Sequence, residues 1–271
     1  MAVQSRPFDI AGAMHEAVAL HRQGRLRDAE KLYARVLKAA PAQFDALHLL
    51  GLCKAQSGQM GEAHRLMAAA LKINGEAPDA WMNFANVLHA LRRDGEALEA
   101  LDKVLALRPG DPDAFAKRGN ALLALGRPQE ALAAFDAALM RNPRQLDALI
   151  NRGSAQASVG RSAEALADFD AALKVAPGHP SALYNRGNAL LNLGRYAEAL
   201  AAFDATLAAA PGHIEALNNR GRTLQALDRH GEAIACFDKA IALRKDYADA
   251  HFNRALSLLT LGELGRGFAE Y

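Results

Sequence analysis

The sequence predicts an all-α chain of repeated antiparallel helix pairs, and three observations carry that prediction. Of 271 residues, 61 are Ala and 40 are Leu, against 13 Val plus Ile. Ala and Leu lose little freedom in a helix, whereas the β-branched residues that suit strands are scarce. Pro109, Pro143, Pro177 and Pro211 stand 34 residues apart, and the same step lands on Gly75 and Pro41 backwards and on Lys245 forwards. Small residues keep that beat at Gly51, Gly119, Gly153, Gly187 and Gly221. A fixed period of this size marks a stack of repeated units rather than one or two globular domains.

Taken in order, residues 1–9 form a short lead and the units follow. Unit 10–43 carries Ala29 and Tyr33 before Pro41; 44–77 carries Gly51, then Ala63 and Met67; 78–111 carries Ala97 and Leu101 before Pro109. The same Ala-x-x-x-aromatic pair recurs as Ala131/Phe135 in 112–145, Ala165/Phe169 in 146–179, Ala199/Phe203 in 180–213 and Ala233/Phe237 in 214–247. A partial eighth unit fills 248–271. Each unit reads as two helices. In 180–213, Pro180 and Ser181 open the first, Leu183, Gly187 and Leu190 mark its buried stripe, and Gly194 stops it. The second runs from about Tyr196 to Ala209, with Glu198 favourable to the dipole in its first turn and Pro211 beyond its end. Gly187 and Ala199 let the two backbones approach, and Phe203 fills the space beside them.

Bulk properties close other doors. With 32 Lys+Arg and 30 Asp+Glu the net charge is +2, so no strong field argues for nucleic acid or an anionic membrane. The first twenty residues, charged at Arg6, Asp9 and Glu16, do not form a secretory signal, and no apolar run is long enough to span a bilayer. Cys53 and Cys236, far apart, suit a reducing compartment better than a disulfide framework. These features predict a soluble, cytoplasmic chain.

The pattern of a large residue, Gly or Ala four positions on, Ala-x-x-x-aromatic and then Pro resembles the tetratricopeptide repeat. Trp81-x-x-Phe84-Ala85 begins one copy; Phe115-x-x-Arg118-Gly119, Ala131, Phe135 and Pro143 make the fullest. The resemblance covers nearly the whole chain. It implies a right-handed superhelix, an α-solenoid whose first helices line a concave groove.

Position 7 of the unit, usually apolar in that family, is Arg118, Arg152, Arg186, Arg220 and Arg254 in units four to eight. Position 25 is Asp102, Asp136, Asp170, Asp204 and Asp238 in units three to seven. Each Asp thus precedes an Arg by sixteen residues, and where the Asp is absent (Ala34, Ala68) the Arg is absent too (Leu50, Phe84). The offset predicts an ion-pair ladder from the second helix of one unit to the first helix of the next, setting register more than stability. A further row, Arg25, Arg93, Arg127, Arg161, Arg195 and Arg229, is balanced three residues later by Asp28, Glu96, Glu130, Glu164, Glu198 and Glu232, and reads as a solvated edge.

Function falls to the groove side of the first helices. Position 6 is Asn83, Asn151, Asn185, Asn219 and Asn253, interrupted by Lys117 and replaced by His15 and Leu49 at the N-terminal end; position 9 adds Asn86, Asn120 and Asn188. Side-chain amides both donate and accept hydrogen bonds, so a column of them suits the backbone of an extended peptide with little regard to its sequence. Position 2 is acidic at Asp45, Asp79, Asp113, Asp147, Glu215 and Asp249. These acids argue against a basic clamp for a C-terminal carboxylate, for which Lys117 and Arg222 would be the groove-side cations. The two columns together resemble the superhelix of O-linked N-acetylglucosamine transferases, which implies that Asp113, Asp147 and Glu215 join the asparagines in holding a polypeptide.

No catalytic constellation is legible. His15-Glu16 lacks a second histidine at Ala19, Gly262, Gly265 and Gly267 do not form a dinucleotide fingerprint, and Cys53 reads as a small core residue. The expectation is a non-enzymatic interaction scaffold, without cofactor or metal, binding an extended segment of a protein partner. The alternative is the substrate-presenting arm of a glycosyltransferase whose catalytic domain lies beyond Tyr271. The ending from Gly262 through Phe268-Ala269-Glu270-Tyr271 is similar to the last repeat of bacterial proteins that continue into such a domain. An uncapped last repeat would also permit self-association.

Overall fold

The structure, a computed structural model, describes residues 8–270. Most of the expected lead, and Tyr271 on which the uncapped-end argument rests, lie outside the described residues. Sixteen helices and no strand occur among the described residues. The first helix of each pair starts at Ile10 (α1, Ile10–Arg22), Phe44 (α3, Phe44–Gln56), Pro78 (α5, Pro78–Ala90), Pro112 (α7, Pro112–Ala124), Leu146 (α9, Leu146–Ser158), Pro180 (α11, Pro180–Asn192), Ile214 (α13, Ile214–Ala226) and Ala248 (α15, Ala248–Thr260). Their partners are α2 (Leu26–Ala39), α4 (Met60–Ile73), α6 (Asp94–Leu107), α8 (Pro128–Arg141), α10 (Ser162–Val175), α12 (Tyr196–Ala209), α14 (His230–Leu243) and α16 (Leu264–Glu270).

Local chemistry fixes these boundaries. Pro occupies the first turn of α5, α7 and α11, where its missing N–H costs nothing. The Asp111 carboxylate accepts from the backbone N–H groups of Asp113 and Ala114, each at 3.0 Å, capping α7. Between paired helices the chain turns through the left-handed region, at Gly126 (φ 70°) and Gly194 (φ 71°) for example.

The chain divides into two compact units, Met1–Arg141 and Asn142–Tyr271. Within each, helices pack with their hairpin partners and with the next pair, as an α-solenoid does. Tyr33, Met67, Leu101 and Phe135 are wholly buried in the first, Phe169, Phe203 and Phe237 in the second. The glycines of the first helices lie flat against these rings. A Cβ on Gly187 would stand 2.6 Å from Phe203 Cε1, and one on Gly153 would stand 2.7 Å from Phe169 Cε1. Unit 78–111 solves the same contact the other way, with Ala85 and Leu101 both buried.

The ladder rungs that fall within a single compact unit are formed. Arg118 Nε donates to Asp102 at 2.9 Å, Arg186 Nε to Asp170 at 2.6 Å and Arg220 Nε to Asp204 at 2.6 Å; Arg254 pairs with Asp238. The structure adds a second arm, sixteen residues downstream of the arginine instead of upstream. Arg152 grips Asp168 with two bonds, Nε at 2.7 Å and Nη2 at 2.5 Å, Arg254 pairs with Glu270, and Arg220 Nη1 lies 2.9 Å from Cys236 Sγ. The turn row also pairs, with Arg93, Arg127, Arg195 and Arg229 each bound to the Glu three residues on. These pairs are solvent-exposed and contribute little to stability.

Cys53 is wholly buried, as a core residue should be, with its Sγ 3.3 Å from His21 Nδ1. Burial pushes its thiol up to about 11 and the buried Tyr33 phenol up to about 12. Because both folded values lie above the unfolded ones, the stability they contribute is complete below about pH 9 and is lost as the pH rises towards 11 and 12. At pH 8 a thiol reagent is therefore expected to leave Cys53 unmodified in the native protein and to label it only as denaturant unfolds the first compact unit. Labelling of Cys53 in native buffer as fast as in denaturant would show the burial to be wrong.

Candidate functional site

The exposed face of the first helices is where the two compact units differ most in chemistry. In the N-terminal unit it begins apolar: Ile10, Met14, Val18 and Leu49 line a recess of about 890 Å3, with Arg22 and Asp45 among its polar members. Asparagines enter on α5. Asn83 Nδ2 lies 3.1 Å from His48 Nε2, whose ring stacks on Phe44. Burial holds that imidazole below its ordinary pKa. Asn86, Asn120, Lys117 and His89 line a small cavity of about 60 Å3, and His89 Nδ1 is bonded to the buried carboxylate of Asp94.

In the C-terminal unit the asparagines at position 6 run unbroken through Asn151, Asn185, Asn219 and Asn253, all half-buried. The amides of Asn185, Asn219 and Asn253 are tied backwards, repeat to repeat. Asn185 Nδ2 donates to Ser154 Oγ at 3.3 Å. Asn219 Nδ2 donates to Asn188 Oδ1 at 2.8 Å and to the Tyr184 hydroxyl at 3.2 Å. Asn253 Nδ2 donates to Asn218 Oδ1 at 3.0 Å, and Asn218 passes its own Nδ2 to Asn219 Oδ1 at 3.4 Å. The donors thus point towards the preceding repeat. Among the described residues, Oδ1 of Asn185 and of Asn253 accepts no bond, whereas Asn219 Oδ1 already accepts from Asn218 and Arg222, each at 3.4 Å. Asn219 joins Asn188 and Asn218, and through Asn218 Asn253, while Asn185 and Asn253 each keep one N–H and an unbonded carbonyl oxygen.

These side chains border a cleft of about 470 Å3 lined by Tyr184, Tyr247, Arg222, Asp249 and Asn253, among others. Tyr184 is fixed by His213, whose ring lies 4.6 Å away, and Tyr247 carries the Arg244 guanidinium 4.9 Å above its ring. The acidic column divides. Asp79 is held by Arg108 at 2.8 Å and Glu215 by Arg244 at 3.0 Å, from the end of the second helix of the same repeat. Arg108 keeps the Asp79 carboxyl below its usual range; for Glu215 its own backbone N–H does so first, then Arg244. Asp113, Asp147 and Asp249 are exposed. The structure thus brings Glu215, Asn219 and Asn253 to one cleft in the C-terminal unit, with Asn188 joined to it through Asn219. Asn83, Asn86, Asn120 and Asp113 lie in the N-terminal unit.

Sequence reasoning passed over Asn218, Tyr184 and Ser154. Asn218 is only 4% exposed, and the one signal for it is the doubled Asn218-Asn219. Position 5, which supplies His48, Tyr184 and Asn218, changes character from unit to unit and leaves no column to read.

Paired helices stacked on a constant 34-residue step, with a polar face along the first helices, define the class of helical-repeat interaction proteins. Models of the tetratricopeptide repeat match residues 116–167 and 153–214, a TPR-repeat model matches 221–262, and the model for anaphase-promoting complex, cyclosome, subunit 3 matches 22–104. The chain belongs to the tetratricopeptide-repeat family and is a protein-interaction scaffold of that kind. No curated protein matches it. Among solved structures it is similar to YrrB, described as a TPR protein with an unusual peptide-binding site, at 27% identity over 73% of this chain and 98% of that one, TM-score 0.61. A tetratricopeptide repeat protein from Parabacteroides merdae is 19% identical over 92% of this chain and 98% of its own, TM-score 0.68. The pilF protein of Pseudomonas aeruginosa is 20% identical over 79% and 97%, TM-score 0.69. The last two likenesses concern fold alone. Among the described residues no helix is long and apolar enough to cross a membrane.

Proposed function

We propose that the first-helix face of the C-terminal unit binds an extended segment of a partner protein, with side-chain amides meeting its backbone. The observation that carries this reading is the pair of unbonded carbonyls on Asn185 and Asn253, each attached to an amide whose nitrogen is already tethered. Tethering removes rotamer freedom before a ligand arrives, so less entropy is lost on binding. Asp147 and Asp249 add exposed carboxylates to the same face, where they would accept from the partner's N–H groups or basic side chains. YrrB, with its peptide-binding site, supports the reading by likeness. The free, buried thiols of Cys53 and Cys236 support a reducing, cytoplasmic setting.

Affinity should be modest and tolerant of sequence, because few side chains of the partner are read. Replacing Asn185 and Asn253 together by Ala is expected to weaken peptide binding about tenfold or more, a loss of about 1.4 kcal/mol, while the thermal midpoint moves by only a few degrees. Titration of a labelled disordered peptide, with melting curves on the same samples, checks both. Unchanged affinity would place the binding face elsewhere.

A further inference from the structure

The N-terminal unit carries a surface of another kind. Its recess of about 890 Å3 is lined along the whole of α1 and by the start of α3. The α1 residues fall on two adjacent rows at four-residue spacing, the larger Ile10, Met14 and Val18 on one, with Arg22 at its end, and the smaller Ala11 and Ala19 on the other. Leu49 adds an apolar side chain from α3. Backbone buried against such a floor needs hydrogen-bond partners. Between the two ends only His15 offers any, and the Gln43 carbonyl is already taken by the backbone N–H of Ala46. An extended segment would leave N–H and C=O groups unpaired there. An α-helix satisfies its own backbone and needs only room and apolar contact.

Charge then sets a direction. Short connections make α1 antiparallel to α2 and α2 antiparallel to α3, so α1 and α3 run the same way. Asp45, in the first turn of α3, therefore stands at the end where α1 begins, and Arg22 at the end where α1 stops. Both are exposed, and neither is ion-paired among the described residues. A helix carries acids best in its first turn and bases in its last. Laid antiparallel to α1, such a helix brings its acids to Arg22 and its bases to Asp45, and its dipole opposes those of α1 and α3. We propose that the recess seats an amphipathic α-helix of a partner protein, antiparallel to α1, with its apolar face on Ile10, Met14, Val18 and Leu49 and its acidic N-terminal turn at Arg22. From Ile10 to Arg22 is about 18 Å at about 1.5 Å per residue, so about three turns make contact. The site is separate from the face that takes an extended segment: amide-rich surface suits a backbone in need of partners, and apolar surface suits one that has none to find.

Three fluorescein-labelled peptides, each about fourteen residues long and blocked at both ends, test this by anisotropy titration against the full chain. The first has Glu in its first turn, Lys in its last, and Leu at i, i+3, i+4 and i+7 between them. The second exchanges its Glu and Lys residues, and the third is the first with Pro at its centre. The first is expected to bind about tenfold or more tighter than the second, and the third not measurably. Exchanging the charges also changes how well each peptide forms a helix alone, so the deciding change is in the protein: Arg22→Glu with Asp45→Lys should reverse the preference. Ala19→Trp, at an exposed position on the smaller row, should weaken the first peptide about tenfold or more. The same variant should keep its affinity for the disordered peptide bound by the C-terminal unit, so the two readings fail separately. Equal binding of the Pro peptide would overturn the helical occupant, and an unreversed preference in the charge-exchanged protein would overturn its direction. No saturable binding of the first peptide, or no effect of Ala19→Trp, would overturn the site. A protein that sediments as a dimer and becomes monomeric on Ala19→Trp would give the recess to a second copy and overturn the partner helix.

Discussion

Replacing Arg152 by Leu should destabilise the C-terminal unit by about 3–5 kcal/mol, the usual cost of stranding a buried charge. Asp168 is only 5% exposed, and Arg152 holds both of its carboxylate oxygens. The pair itself contributes far less than its removal costs, since desolvation offsets most of its attraction. Adding Asp168→Ala to the Arg152→Leu variant should recover much of the loss, because Ala134 and Ala202 occupy the same position in the flanking repeats and are buried there without difficulty. Denaturant midpoints of the two single variants and the double variant form the test. A cost below about 1 kcal/mol for the first, or no recovery in the double, would show Asp168 to be solvated or held by other groups.

Phe203→Ala should cost a comparable amount, about 3–5 kcal/mol, by opening a cavity that fixed helices cannot close. The ring is wholly buried and lies where a Cβ on Gly187 would have to go. Gly187→Ala alone is an overpacking change and should cost about 1–3 kcal/mol. Combined with Phe203→Leu it recreates the Ala85/Leu101 arrangement of unit 78–111, so the double variant should be more stable than Gly187→Ala by itself. If the two changes simply add, the Gly–Phe contact is not what sets the helix separation.

What could be read in advance was whatever repeats. Pro at the 34-residue step, Gly against Phe, and Asp sixteen residues before Arg each recur often enough to expose their geometric cause. The second arm of the arginine ladder stayed hidden because Asp168, Cys236 and Glu270 replace an Ala that other units carry there, so each occurs as an exception. The asparagine column was visible as residues but not as oriented groups. Which partner each amide nitrogen takes depends on Ser154, Asn188, Tyr184 and Asn218 in the preceding repeat, and those positions vary. At Asn219, expected with its neighbours to read a peptide, two donors and two acceptors converge on one side chain.

Binding on the first-helix face can be observed directly. Isotope-labelled protein titrated with the same disordered peptide used for the affinity measurement can be followed through backbone and side-chain amide resonances. The prediction is that the side-chain NH2 signals of Asn185 and Asn253, together with backbone signals of α11, α13 and α15, move in a saturable way while α10, α12 and α14 stay still. Saturable shifts confined to α10, α12 and α14, with the asparagine side chains unmoved, would contradict it.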